Sequence, residues 1–309
     1  MRPPLISVSC DLCGGGAFEK ILSRDHNGFA CHVCVCRSCG LGMLNPRWSR
    51  ELYARFYREQ YDRFYRGTLG DDLLKLEVET KGKPMLERIA PRLKGPEFDV
   101  LDIGCGLCWS FEVLSSVGRP SIDVIESSPG CLERVHRLPG VRLVSRNLDG
   151  AWDENPGRYD LVIARHVLEH VFAPVEFLEK IKRVLKPEGI VYLAVPNALE
   201  GDDRKAISWF RNVHLYYFNA HTLERICNRA GLQFLDYGER EEIWAVLGSA
   251  DASETKTPAV AFEEQVDALC RLSRIRRKAF LRKAVSDPRW LLYRALNRWF
   301  PFRSKRSAS

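Results

Sequence analysis

Short aliphatic runs alternate with amphipathic stretches through the middle of the chain. "FDVLDIG" (98–104), "SIDVIES" (121–127), "VRLVS" (141–145), "YDLVIAR" (159–165) and "GIVYLAVP" (189–196) have the length and composition of strands. Between most of them lie "WSFEVLSSVG", "PGCLERVHRL" and "PVEFLEKIKRVLKPEG", whose apolar positions recur at helical spacing. Such alternation predicts a largely parallel sheet with helices on both faces and ligands at the carboxyl ends of the strands. "NAHTLERICNRAGLQFLDYGEREEIWAVLG" (219–248) reads as helix, strand, reversal and strand, which would finish the sheet with an antiparallel pair.

Upstream, "RWSRELYARFYREQYDRFYRG" places Leu52, Phe56, Tyr57, Tyr61, Phe64 and Tyr65 near helical spacing, an aromatic face suited to packing against a neighbouring domain. Residues 71–94 predict another helix, interrupted by Gly82 and Pro84. Downstream of the fifth strand, "WFRNVHLYYFNAHTL" is long and aromatic and suits a substrate wall or lid.

At 309 residues with 45% hydrophobic content, the chain can bury a substantial core. Its first residues, "MRPPLISVSC", hold no long apolar run, and no stretch reaches the roughly 18 uncharged apolar residues of a membrane span. A cytoplasmic protein is expected. The formal charge of +7 is uneven: residues 271–309 hold 13 Lys and Arg against one acid, Asp287, a balance of +12, which leaves about −5 for the remainder. The overall pI therefore does not imply general nucleic-acid binding, and any polyanion contact belongs to the tail.

Six of the eleven cysteines precede residue 40. "CDLC" supplies Cys10 and Cys13, "CRSC" supplies Cys36 and Cys39, and a glycine follows each pair. Two such tight turns aim four thiolates at one ion, the spacing of a structural zinc ribbon. Cys31 and Cys34 form a third pair, so the ligand set is ambiguous, although the spacing favours the outer four.

"VLDIGCGLCWS" (100–110) reads as a strand that ends in a glycine turn and continues as a helix. A phosphate-binding loop would need Lys-Ser or Lys-Thr after its glycines, and none is present. A dinucleotide site would want a third glycine where Trp109 stands, and an indole there would obstruct a pyrophosphate. Asp102 at the strand end and Glu126 about 20 residues on instead suit a ligand with an ammonium and a ribose diol, as in S-adenosylmethionine.

Over residues 98–248 the chain resembles the class I S-adenosylmethionine-dependent methyltransferases. "VLDIGCGLC" is similar to their first motif, "DVIESSP" to the acidic second-strand motif, "YDLVIARHVLEHV" to the fourth-strand motif and "LKPEGIVYLAVPN" to the fifth. The resemblance implies a Rossmann-like, seven-stranded, mostly parallel α/β sheet. It implies that Gly104, Cys105 and Gly106 line the methionine part, Asp102 orients its amine, and Glu126 with Ser127 grips the ribose. Asn147 and Leu148 would meet the adenine, and Arg165 would border the site. Cys108 stands where the family often has glycine. The expected division is a zinc-ribbon-like module at 1–47, a helical linker on the catalytic domain at 48–96, the methyltransferase domain at 97–249, and a linker with a basic helical tail at 250–309.

An activated sulfonium methyl leaves the protein to align the acceptor, exclude water and, for an alcohol or enolisable carbon, remove a proton. His170 in "HVLEHV" and His214 in "WFRNVHLYY" are the candidate bases. The cysteine-rich front followed by "YREQYDRFY" is similar to bacterial methyltransferases acting on sugars or other envelope and secondary-metabolic compounds, which points to a small-molecule or glycan acceptor, with quinone-type or small aromatic acceptors as the alternative. In the tail, residues 271–309, arginines alternate with Leu291, Leu292, Tyr293, Leu296, Trp299, Phe300 and Phe302, a pattern that fits peripheral contact with the inner face of an anionic membrane or a helix docked on the protein. A noncatalytic adaptor, binding partners through the zinc module and tail, is the rival function class.

Overall fold

The computed structural model describes residues 4–65, 70–148, 150, 152, 155–200, 206–250 and 254–299. The aromatic and basic positions expected to matter at 300–309 lie outside the described residues. The chain forms two compact units, one from residues 1–66, 196–222 and 258–309, the other from 67–195 and 223–257.

The second unit holds a seven-stranded sheet. Its strands are β1 (Glu97–Ile103), β2 (Arg119–Ile125), β3 (Val141–Ser145), β4 (Tyr159–Arg165), β5 (Leu185–Pro196), β6 (Leu232–Glu239) and β7 (Glu242–Ser249). Their spatial order is β6-β7-β5-β4-β1-β2-β3. The pairs among β1 to β5 are parallel, while β6 and β7 are antiparallel neighbours, as the sequence pattern predicts. Val100, Leu101 and Ile103 are all buried, so successive side chains of β1 meet protein on both faces. The parallel register pairs Ile103 with Ile125 and Ala164, which brings the carboxyl ends of β1, β2 and β4 to one edge.

Helix α1 (Trp109–Ser115) follows β1, α2 (Pro129–Val135) follows β2 and α3 (Pro174–Val184) precedes β5. Residues 71–89 differ from the expected interrupted helix. The chain stays helical from Asp71–Glu77 through a π-turn at Val78–Gly82 into Lys83–Ile89. Pro84 follows closely on the π-turn, at the start of the last segment. Gly82 is needed for contact: a Cβ there would lie 2.7 Å from Val113 Cγ1 and 3.2 Å from Trp109 Cε3.

The first unit is built on an antiparallel four-stranded sheet in the order Tyr216–Tyr217, Gly42–Leu44, Ala30–Cys36, Phe18–Arg24. The aromatic segment expected to form a wall or lid is mostly interior. Phe210, Tyr216, Tyr217 and Phe218 are buried, and Tyr216 and Tyr217 make the edge strand that pairs with Met43 and Gly42. Helix Arg50–Glu59, capped by Ser49 Oγ accepting from the Leu52 N–H, presents Phe56 to Phe29 and Trp48.

The basic tail is ordered as helices Phe262–Ser286 and Pro288–Trp299. Leu269 and Leu272 join the core of this unit with Val33, Val35 and Leu44. Arg276 Nη2 donates to Arg24 O at 2.7 Å, Asn297 Nδ2 donates to Asn27 O at 3.0 Å, and Arg294 donates to His26 O. The inner face of the tail is thereby fixed to the Phe18–Cys36 hairpin. No described helix is long and apolar enough to cross a membrane.

Candidate functional site

The turn after β1 reverses the chain at three residues of positive φ, Gly104 (+70°), Gly106 (+57°) and Cys108 (+53°). Two hydrogen bonds shape it: the Gly104 N–H donates to Ile125 O on β2 at 2.7 Å, and the Cys108 N–H donates to Cys105 O at 2.8 Å. A Cβ on Gly104 would meet Val167 Cγ2 at 2.8 Å, whereas one on Gly106 would meet nothing within 4 Å. Gly106 therefore borders open space.

Two carboxylates flank the turn. Asp102 is 2% exposed and Glu126 4%. Glu126 Oε2 accepts the Gly106 N–H at 2.8 Å, while its Oε1 accepts the N–H groups of Ser127 at 2.8 Å and Ser128 at 2.7 Å. Asp102 Oδ2 accepts from Ser110 Oγ at 2.5 Å. Burial pushes the Asp102 carboxyl up to about 7; the Ser110 hydrogen bond opposes this and the Glu126 charge reinforces it. A buried pair of acids repels a pyrophosphate and attracts an ammonium, and the N–H group a phosphate would need at Gly106 is already engaged.

Trp109 plays a different part from the one its position suggested. It is buried in the core of the second unit, beside Gly82 and Val113. The indole packs into the core, and a Cβ on Gly106 would still meet nothing within 4 Å, so Trp109 leaves that part of the turn open.

Around this centre the other expected residues fall as follows. Cys105 is buried, with its Sγ 3.8 Å from Gly106 O, and Ser127 is exposed and contributes its backbone N–H. Asn147 and Leu148 lie on the turn after β3, where the Asn147 N–H donates to Ser145 Oγ at 3.0 Å; the Asn147 side chain is exposed. Arg165 ends β4 and donates from Nη2 to Glu242 Oε2 at 2.5 Å, with His166 Nε2 3.2 Å from the same oxygen. His170 closes a 3-10 turn (Leu168–His170) after β4, its N–H donating to Val167 O and its Nε2 3.8 Å from Glu169 Oε1. His214 belongs to the first unit, where its N–H donates to Arg211 O at 3.1 Å. Ser110, Ser128 and Glu242 were not anticipated. A hydroxyl eight residues after Asp102 at the start of a helix was the available signal for Ser110.

The fold gathers the outer four cysteines and separates the third pair from them. Cys10, Cys13, Cys36 and Cys39 bring their four Sγ atoms within 4.8 Å of one another. Matching turns hold them: the Gly14 N–H donates to Cys10 O at 2.7 Å and the Gly40 N–H to Cys36 O at 2.9 Å, each glycine at φ +75°. Cys31 and Cys34 lie buried along the strand Ala30–Cys36, with Cys34 Sγ donating to Met43 O at 3.4 Å and Cys31 Sγ 4.0 Å from Tyr217 Oη. A compact set of four thiols suits a soft divalent ion such as Zn²⁺.

The Methyltransferase domain family matches residues 57–237. The ubiquinone biosynthesis O-methyltransferase of Xanthomonas campestris is 30% identical over 117 residues, which is 36% of this chain and 48% of that protein. The enzyme of that name from Pseudomonas aeruginosa is 35% identical over 103 residues, 32% of this chain and 44% of that protein. The chain thus spans less than half the length of these curated relatives. Among solved structures, the 1,6-didemethyltoxoflavin-N1-methyltransferase of Burkholderia thailandensis, bound to 1,6-didemethyltoxoflavin and S-adenosylhomocysteine, shares the fold. Its TM-score is 0.52 at 18% identity, covering 68% of this chain and 96% of that one.

Proposed function

Because the chain belongs to the Methyltransferase domain family and has the class I fold, we propose that it transfers a methyl group from S-adenosylmethionine to a small-molecule or glycan acceptor. One observation carries the proposal: two buried carboxylates, Asp102 and Glu126, flank a glycine turn that opens onto free space at Gly106. In this reading Glu126, at the end of β2, accepts from the ribose hydroxyls, and Asp102 takes the amine. Gly104, Cys105, Gly106 and Ser127 line the cofactor, Asn147 and Leu148 border the adenine, and Arg165 is held at the rim by Glu242. The bound cofactor supplies an already activated methyl, so the protein's work is alignment, exclusion of water and removal of the acceptor's proton.

Proton removal is assigned to His170 or His214. The placement of His170 after β4, at the sheet edge where Asp102 and Glu126 also lie, supports His170 first. The names of the curated relatives support a phenolic, quinone-precursor hydroxyl as acceptor, while the sequence of the cysteine-rich front supports a sugar. Cys10, Cys13, Cys36 and Cys39 would hold one structural Zn²⁺. Peripheral contact with the inner membrane face through residues 271–309 belongs to the same reading.

Calorimetric titration with S-adenosylmethionine and with NAD tests the cofactor. Heat from the first alone is expected, and no heat from folded protein would overturn the proposal. Incubation with methyl-labelled cofactor and cell-extract fractions, followed by product mass analysis, identifies the acceptor; H170A and H214A, assayed with cofactor affinity held constant, separate the two bases.

A further inference from the structure

The two tail helices differ between their faces in a way the sequence alone does not show. On Phe262–Ser286 the inner positions Gln265, Leu269 and Leu272 are buried and Arg276 is tied to Arg24 O. Arg274, Arg277, Lys278, Leu281, Arg282 and Val285, at offsets of 0, 3, 4, 7, 8 and 11 along the helix, are all exposed. That spacing places them on one outward stripe. Leu281 is 56% exposed and Val285 83%, and on the following helix Leu292 is 65% exposed.

Leu281 and Val285 lie one helical turn apart among cations, an arrangement that offers an apolar wedge beside phosphate-binding groups. Most of these cations are not spent inside the protein; Arg274 Nε alone among them reaches a backbone carbonyl of its own helix, Cys270 O at 3.4 Å. Among the described residues Arg277, Lys278, Arg282 and Arg289 make no ion pair or side-chain hydrogen bond, and Asp287 is the single acid of residues 271–309. Arg271, Arg274, Ile275, Arg277, Lys278 and Leu281 also border a shallow, open depression of about 540 Å³, contributing four cationic and two aliphatic side chains.

We propose that this stripe is a docking surface for an anionic phospholipid bilayer, with Leu281 and Val285 entering the headgroup region while Arg274, Arg277, Lys278 and Arg282 bind lipid phosphates. Charge complementarity selects this occupant. Two copies meeting stripe to stripe would set like charges against each other, and a nucleic acid would leave the aliphatic positions in water. The inner face is already fastened to the protein's own sheet, so the stripe is presented as a rigid edge and little ordering entropy opposes docking. The proposal rests on the membrane part of the function given above and adds the residues, the lipid charge and the orientation.

The test uses the full chain with vesicles of phosphatidylcholine alone and of phosphatidylcholine with about one third phosphatidylglycerol. Sedimentation with the anionic vesicles only, weakened as salt is raised to about 0.5 M, is expected. R277E with K278E, and separately L281E with V285E, should each reduce binding at least about tenfold while leaving the melting temperature unchanged. Failure of the native chain to sediment, equal sedimentation with neutral vesicles, or variants that bind like the native chain would overturn the proposal. So would a dimer that L281E with V285E dissociates, or RNA binding without vesicle binding. Cofactor calorimetry on the same preparation keeps the two readings separable: vesicle binding without cofactor heat sinks the methyltransferase function alone, and the converse sinks the docking surface alone.

Discussion

Glu126 Oε2 accepts the Gly106 N–H at 2.8 Å, so the acid that ends one strand sets the turn that ends its neighbour. The same carboxylate accepts the Ser127 and Ser128 N–H groups, so the cofactor grip proposed for it would be coupled to local stability. E126A should weaken S-adenosylmethionine at least about tenfold and cost about 2–4 kcal/mol of stability, since three donors lose their acceptor. E126Q, which keeps one acceptor oxygen, should lose less stability and a similar amount of affinity. Urea unfolding and calorimetry on both variants check this; affinity unchanged in E126A would show that the acid serves the fold alone.

Asp102 gives the protein a specific pH dependence. In the folded chain its carboxyl is raised to about 7 by burial, with the Glu126 charge adding to it, whereas the unfolded carboxyl titrates near 4. Between these values the folded state holds a proton that the unfolded state has released, so this contribution to stability is full below about pH 4 and is lost as pH rises to about 7. Binding an ammonium reverses the preference and expels the proton. Cofactor affinity should climb as pH rises from about 6, by at most about tenfold per unit, and level off above about 8. Calorimetry at pH 6 in two buffers of different ionisation enthalpy should register proton release. D102N should abolish that release, and a buffer-independent enthalpy in the native protein would contradict the assignment.

The α/β sheet was legible in the sequence because burial on both faces writes strands as continuous aliphatic runs, as in "YDLVIAR", and because glycines mark the turn after β1. The acids were legible too, since a strand-end Asp102 and a strand-end Glu126 keep a fixed spacing. What sequence could not show is how polar groups are divided between packing and ligand. Ser110 reads as an ordinary helix residue until its hydroxyl meets Asp102. Trp109 occupies a position that spacing assigns to the ligand, yet the indole turns into the core. Tyr216 and Tyr217 read as a lid, but the residues opposite them in the sheet, Met43 and Gly42, are more than 170 residues away in the chain. Long-range pairing of this kind leaves no periodic signature.

The four cysteines give a prediction in two directions. Purified protein should carry one zinc per chain by elemental mass spectrometry. C13S or C36S should empty the site and lower the thermal midpoint, because metal binding is a folding contribution for a module held by short turns. C31A and C34A should keep the zinc, since those thiols lie in the strand interior, although each loses packing. Retention of full zinc by C13S, or its loss in C34A, would reassign the ligands.

Cys108 poses the opposite problem, a side chain where backbone geometry favours none. At φ +53° it is held in the left-handed region, which costs a residue with a Cβ about 1–2 kcal/mol relative to glycine. The thiol is nonetheless fully buried, near Ser110 Oγ at 3.8 Å, and its removal forfeits a comparable amount of packing, about 1–2 kcal/mol. C108G should therefore leave stability within about 1 kcal/mol of the native value, relief of strain offsetting the lost contact. Cofactor affinity should also persist, because neither Asp102 nor Glu126 depends on the thiol for its hydrogen bonds. C108V retains burial but branches at Cβ, where the left-handed backbone leaves least room, and should cost about 3 kcal/mol or more. Thermal unfolding and cofactor titration of both variants decide the matter. If C108G lost several kcal/mol, the thiol rather than the backbone would be what fixes the turn.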